Sequence, residues 1–135
     1  MTICLDTSFL ADRFREEDYT ETFLESVPGE VPVLVPTIVL HELYAGALRY
    51  SGGESIADIR QELSWTRFVG FDDAAAKEAA DIRATLADQG KTINALDMLI
   101  AGVAREGDAE MVAVDRDYDR VPDLAVRDPR GESDS

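Results

Sequence analysis

The chain has 135 residues, 28 of them acidic and 13 basic, for a formal net charge of −15; that length suits one domain. A hydrophobic fraction of 45% is enough for a core and excludes general disorder, while a lone cysteine, Cys4, and a lone histidine, His41, exclude a disulfide framework and a Cys/His zinc finger. No apolar run approaches the roughly 20 residues of a membrane span, and Asp6 interrupts Ile3-Cys4-Leu5 with no basic segment ahead of it, so no membrane association and no signal peptide are expected and the chain reads as cytoplasmic.

Thr2-Ile3-Cys4-Leu5 predicts a first strand. It stops at Asp6-Thr7-Ser8, an N-cap cluster from which Phe9-Leu10-Ala11 continue as a short helix. Phe23, Leu24 and Val27 fall at helical spacing over residues 19–27, ended by Pro28-Gly29. Val33-Leu34-Val35 is a second strand, and Pro36-Thr37 open a helix to about Tyr50, broken by Ser51-Gly52-Gly53. Ile56, Ile59 and Leu63 form another helical stripe, and Arg67-Phe68-Val69-Gly70-Phe71 a third strand. The alanine-rich stretch 74–87 is strongly helical and ends at Gly90; Asn94 caps a helix carrying Leu96, Leu99, Ile100, Val103 and Ala104. Met111-Val112-Ala113-Val114 is a fourth strand stopped by Asp115, and Leu124-Ala125-Val126 a fifth, short edge strand.

Strands that are near-continuous apolar runs and alternate with helices indicate a parallel sheet covered on both faces. The expected fold is α/β, one doubly wound domain over residues 1–126 with a central parallel sheet of about five strands. A polar, frayed tail is expected over residues 127–135. The acids are spread from Asp6 to Asp134, and only Lys77 and Lys91 are lysines, the other basic residues being arginines. This pattern points to a surface adapted to concentrated salt, as in a halophilic archaeon. At ~1 M salt the Debye length is only ~3 Å, so the acidic balance does not exclude a nucleic-acid substrate.

Ligands of such sheets bind at the carboxyl ends of the strands, near the topological switch point. Two strands run directly into an acid there, Asp6 and Asp115. Asp97 lies in the first turn of its helix beside the apolar stripe, and Glu42 shares a helix face with Ile38, Ala45, Gly46 and Arg49. Each also has a purely structural reading. Asp6 suits an N-cap, Asp97 favours the helix dipole, Glu42 suits a solvated face, and Asp115 suits an exposed turn with Asp117, Asp119 and Asp123. Composition and spacing therefore reach an acidic crevice and stop.

Four segments, in order, resemble the motifs of the PIN-domain ribonucleases. Ile3-Cys4-Leu5-Asp6-Thr7-Ser8-Phe9-Leu10 is similar to their opening, and Thr37-Ile38-Val39-Leu40-His41-Glu42-Leu43-Tyr44-Ala45-Gly46 to the xxxELxxG setting. Ile93-Asn94-Ala95-Leu96-Asp97-Met98-Leu99-Ile100-Ala101 is similar to DxLIAA, and Val112-Ala113-Val114-Asp115-Arg116-Asp117-Tyr118-Asp119-Arg120-Val121-Pro122 to TxDxDFxxxP. The resemblance spans residues 2 to about 126, and the compact size resembles VapC, the toxin half of VapBC toxin–antitoxin pairs.

The resemblance implies an endoribonuclease dependent on Mg²⁺ or Mn²⁺, leaving 5′-phosphate and 3′-hydroxyl ends on an RNA substrate. It implies Asp6 and Asp97 as principal metal ligands, Asp115 holding the ion or a second one through water, and Glu42 orienting or deprotonating the attacking water. Thr7 or Ser8 would bond to Asp6 or to phosphate, and Arg49 and Arg116 would contact phosphate. It further implies a VapB-like antitoxin that inserts a basic side chain into the acidic site, and a homodimer formed with helices around residues 19–27 and 56–63. Ala113 stands where the family often has Thr or Ser, and Val114 where a polar residue is frequent. The choice between Asp115 and Asp117 as fourth acid therefore stays open, Asp115 being preferred because it directly follows its strand. Replacing Asp6 or Asp97 by Asn is expected to abolish cleavage and leave thermal unfolding unchanged.

A haloacid-dehalogenase-type phosphatase would need an aspartate where Ser8 stands, and a receiver domain a late lysine after a strand, which Lys91 does not supply. The competing reading is a non-catalytic interaction module with a degenerate acidic site. His41 is expected to pack rather than act as a base, Cys4 to be a buried hydrophobe, and Trp65 and Phe68 to serve the core or a partner contact.

Overall fold

The computed structural model describes residues 1–50 and 52–131. Among them the chain forms five strands, β1 (Ile3–Leu5), β2 (Val33–Pro36), β3 (Arg67–Val69), β4 (Glu110–Val112) and β5 (Val126–Arg127). Six α-helices flank the sheet: α1 (Thr7–Phe14), α2 (Asp18–Ser26), α3 (Thr37–Arg49), α4 (Ile56–Glu62), α5 (Asp73–Asp88) and α6 (Ala95–Glu106). A short 3-10 helix covers Arg116–Arg120. No helix among the described residues is long and apolar enough to cross a membrane.

The strand order is β3-β2-β1-β4-β5 and every pairing is parallel, the α/β architecture expected from the apolar runs. β1, β2 and the end of β4 are wholly buried, which is why these strands show no in–out alternation: helices cover both faces. The chain builds β1, β2 and β3 to one side, then returns to lay β4 and β5 on the other. The reversal places the topological switch point between β1 and β4, where connections leave the sheet in opposite directions and open a crevice.

Three strands differ by two residues at one end from the sequence expectation: β3 stops at Val69, short of Phe71, where its partner β2 ends at Pro36, and β4 and β5 are shifted as well. β4 ends at Val112, two residues before Val114, because its neighbour β1 ends at Leu5, the partner of Val112; beyond it the Asp6 N–H closes the ladder on the Val112 carbonyl at 3.3 Å. β5 lies at Val126–Arg127, set by pairing of Met111 with Val126 and Val112 with Arg127. Arg127, the first residue of the expected tail, pairs with Glu110 at 2.7 Å, and Pro129 is buried; residues 132–135 of that stretch, and Ser51 of the expected break, lie outside the described residues. Phe23, Ile59 and Leu63 are buried within the single chain, so the stripes over 19–27 and 56–63 are largely covered without a partner. Cys4 is buried as expected, its thiol pushed up by burial and by the nearby charge of Asp6. His41 is exposed on α3 rather than packed, and Trp65 is exposed.

Candidate active site and metal centre

Asp6 reaches the site because β1 ends there and α1 begins. It is the N-cap of α1, and its Oδ1 accepts the Phe9 N–H at 2.9 Å. Only 2% of the residue is exposed. Burial first, then the charges of Asp97 and Asp115, raise its pKa to about 7 against the pull of the Phe9 and Ser8 N–H groups. Asp6 is thus the N-cap that its position suited, one oxygen starting the helix while its charge lies near those of two other acids.

Asp97 occupies the first turn of α6, where the Asn94 side chain accepts the Leu96 and Asp97 N–H groups at 2.9 and 3.4 Å. The half-buried carboxylate is raised to about 6, first by burial and then by Asp115; Glu42 and a hydrogen bond shared with Asp115 add to the rise, while a bond from the Tyr118 hydroxyl lowers it. That hydroxyl donates to Asp97 Oδ1 at 3.2 Å. Asp115 caps the 3-10 helix, accepting the Asp117 N–H at 2.9 Å. The turn this makes carries Asp117 inward, so one oxygen each of Asp97, Asp115 and Asp117 lie within 4.8 Å of one another. Asp115 does not directly follow β4, so the argument that preferred it over Asp117 fails; both acids join the cluster.

Glu42 projects from the second turn of α3, which starts at the same sheet edge. Its Oε1 accepts the Thr7 hydroxyl, and its charge is among those that raise Asp97. Thr7 therefore serves Glu42 rather than Asp6. Arg49 lies two helical turns further along α3 from Glu42, about 10 Å at the α-helical rise. Arg116 and Arg130 line a cleft of about 480 Å³ with Asp115. Arg116 pairs with Asp119 at 2.7 Å, and Arg130 grips Asp128 with two nitrogens at 3.0 and 2.7 Å.

The sequence reading missed Arg130, which lies in the stretch assigned to the tail, and gave no role to Tyr118. Its chemical signal was faint, since a tyrosine beside several acids reads as an apolar turn residue until the sheet brings Asp97 to it.

Among the described residues, Arg120, 3.4 Å from Asp117, is the one cation in an ion pair with these five acids. Carboxylates gathered in a half-buried crevice repel one another, and burial together with that repulsion makes Asp6 and Asp97 hold protons more tightly. Their donor set, all carboxylate oxygen, fits a hard divalent cation such as Mg²⁺ or Mn²⁺. Asp97, Asp115 and Asp117 would hold such an ion, with Asp6 behind them.

The fold has close relatives among solved structures. The chain is 27% identical to FitAcB from Neisseria gonorrhoeae, covering 96% of this chain and 98% of that one with a TM-score of 0.82. It is 25% identical to DNA-bound VapBC from Salmonella typhimurium, over 96% and 98% of the two chains, TM-score 0.84. VapBC2 from Rickettsia felis, bound to a DNA fragment from its promoter, superposes with a TM-score of 0.86 over 94% and 98% at 23% identity. No curated protein sequence matches the chain. The PIN domain family matches residues 3–124, nearly the whole of the fold just described, and the chain belongs to that family.

Proposed function

We propose that the chain is an endoribonuclease dependent on Mg²⁺ or Mn²⁺ and the toxin of a type II toxin–antitoxin pair, working in the cytoplasm of a salt-adapted host. The observation that carries this reading is the meeting of Asp97, Asp115 and Asp117 oxygens within 4.8 Å, beside Asp6 and Glu42, at the crevice where an α/β sheet binds its ligand. PIN family membership and the likeness to the VapBC of Salmonella typhimurium support the nuclease and a VapB-like partner respectively. A net charge of −15 makes a basic antitoxin segment an electrostatically favourable inhibitor. A homodimer belongs to the same reading.

A bound divalent ion supplies charge for the phosphodiester and lowers the pKa of a coordinated water. Asp97, Asp115 and Asp117 offer oxygens for it, and Asp6, largely withdrawn from solvent, tunes them by its charge while fixing the start of α1. Glu42 has its Oε1 engaged by Thr7, so its other oxygen, Oε2, is the one free to accept a proton from the attacking water. Arg116 and Arg130, on the wall beside Asp115, contact the phosphates flanking the cut.

The test is cleavage of a structured RNA by the purified chain, freed of any antitoxin, in ~1 M KCl. Cleavage with Mg²⁺ or Mn²⁺, abolished by EDTA and by Asp97→Asn, is the expected result. Absence of cleavage under every metal condition, or full activity of Asp97→Asn, sinks the proposal and leaves the non-catalytic interaction module.

A further inference from the structure

We propose that Tyr118 is a positioning residue of this centre: its hydroxyl fixes the Asp97 carboxylate in place, and the affinity for a divalent cation depends on it. The inference deepens the function proposed above and rests on it.

The Tyr118 ring is fully buried, 0% exposed, so its hydroxyl has little freedom, and it is aimed at Asp97 Oδ1, 3.2 Å away. The segment carrying it is pinned twice: Arg120 donates to the Thr92 carbonyl at 3.1 Å and Arg105 to the Pro122 carbonyl at 2.9 Å. The hydroxyl carries one hydrogen, and the Asp97 oxygen is the acceptor it meets. Asp97 needs such a donor. Its carboxylate faces Asp115 and Glu42, charges of its own sign, which push its partly exposed side chain away from them toward water. A neutral donor on a buried ring opposes that turn without adding a cation that would compete with the metal.

Partners that orient metal-ligating carboxylates are worth roughly 10- to 100-fold in metal affinity when removed. The experiment titrates the full chain with Mn²⁺ alone, without RNA, by calorimetry or by the EPR signal of the free ion. Tyr118→Phe keeps the ring and removes only the donor. Tyr19→Phe is the matched control, since the Tyr19 hydroxyl donates to Asp12, an acid outside the cluster. The expected result is a Kd raised about tenfold in Tyr118→Phe and unchanged in Tyr19→Phe, with cleavage by Tyr118→Phe recovering at excess Mn²⁺. An unchanged Kd in Tyr118→Phe, or equal weakening in both variants, overturns the role of Tyr118 while leaving the metal centre standing. Failure of the wild-type chain to bind Mn²⁺ at all overturns both.

Discussion

The Thr7 hydroxyl donates to Glu42 Oε1, joining the first residue of α1 to the second turn of α3 across 35 positions of sequence. In the function proposed above, this bond is what holds Glu42 in place for proton transfer although it sits on a helix rather than at a strand end. One oxygen is anchored to the element that Asp6 caps, and the carboxylate cannot swing off the crevice.

Thr7→Val removes that anchor while keeping the shape of the side chain. Loss of one hydrogen bond costs about 1 kcal/mol of stability, so the variant folds. Its kcat is expected to fall about tenfold, a part of the 10²- to 10⁴-fold that a positioned acid–base group contributes, with KM for RNA and the Kd for Mn²⁺ unchanged. Equal kcat in wild type and variant under single-turnover conditions means that Glu42 does not need Thr7.

The protonation of Asp6 sets a pH dependence with a definite sign. Its pKa is about 7 in the folded chain against 3.8 for the free group, and that of Asp97 is about 6. Between about pH 4 and pH 7 the folded state therefore binds more protons than the unfolded state, and stability falls as pH rises through this window. For buried Asp6 the full shift corresponds to at most about 4 kcal/mol. The metal-free chain is expected to lose Tm between pH 4.5 and 8, and Mn²⁺ to restore it at pH 8. Asp6→Asn keeps the cap, since asparagine accepts the Phe9 N–H equally well, and deletes the charge. It should flatten the pH profile and raise Tm at pH 8 while abolishing cleavage. This expected rise in Tm differs from the unchanged thermal unfolding expected from the sequence, and the same melting curves decide between them. A steeper profile in Asp6→Asn contradicts the electrostatic account.

Much of this site was legible in the chain because acids after buried apolar strands have few places to go. Asp6 after Ile3-Cys4-Leu5 was placed by local rules, and so was Asp97 after the Asn94 cap. The end of β4 was not, because Ala113 and Val114 are apolar and strand-like; the ladder stops there only because β1 has already turned into α1. That event is tertiary, and it moved Asp115 off the strand end and brought Asp117 into the cluster. Tyr118 and Arg130 were hidden for the same reason. Their roles depend on which side chain faces them across the sheet edge.

Packing of the two helices behind the site gives a prediction about stability. A Cβ on Gly102 of α6 would lie 2.8 Å from Ala79 Cβ and 2.9 Å from the Ala75 carbonyl oxygen. Backbone of α5 is among the groups that would have to move. Gly102→Ala gains up to about 1 kcal/mol of helix propensity but overpacks a filled interface at about 1–3 kcal/mol, so the steric cost wins. A lowered Tm is expected, with partial recovery in the Gly102→Ala, Ala79→Gly double variant. Stabilisation by Gly102→Ala would show that α5 and α6 separate easily.

Arg105 ties that helix pair to the segment bearing Asp115, Asp117 and Tyr118. Its side chain, 10% exposed, pairs with Glu78 at 2.7 Å and Asp81 at 2.6 Å and donates to the Pro122 carbonyl at 2.9 Å. Both carboxylates are partly exposed and water can take over their bonds, so the ion pairs themselves contribute modestly. A methionine at position 105 leaves the partly buried Pro122 carbonyl without the donor that Arg105 gives it. Arg105→Met preserves most of the buried stem and should cost about 1–3 kcal/mol, read as a lower Tm. The loss should be local as well as global, with faster amide exchange over residues 116–122 than in wild type at equal distance below Tm. Arg105→Lys is expected to recover little, since one ammonium cannot reach two carboxylates and a carbonyl in the fork geometry of a guanidinium. Unchanged exchange over 116–122 in Arg105→Met would mean that the acid-bearing turn is held by Arg120 and the buried Tyr118 ring alone.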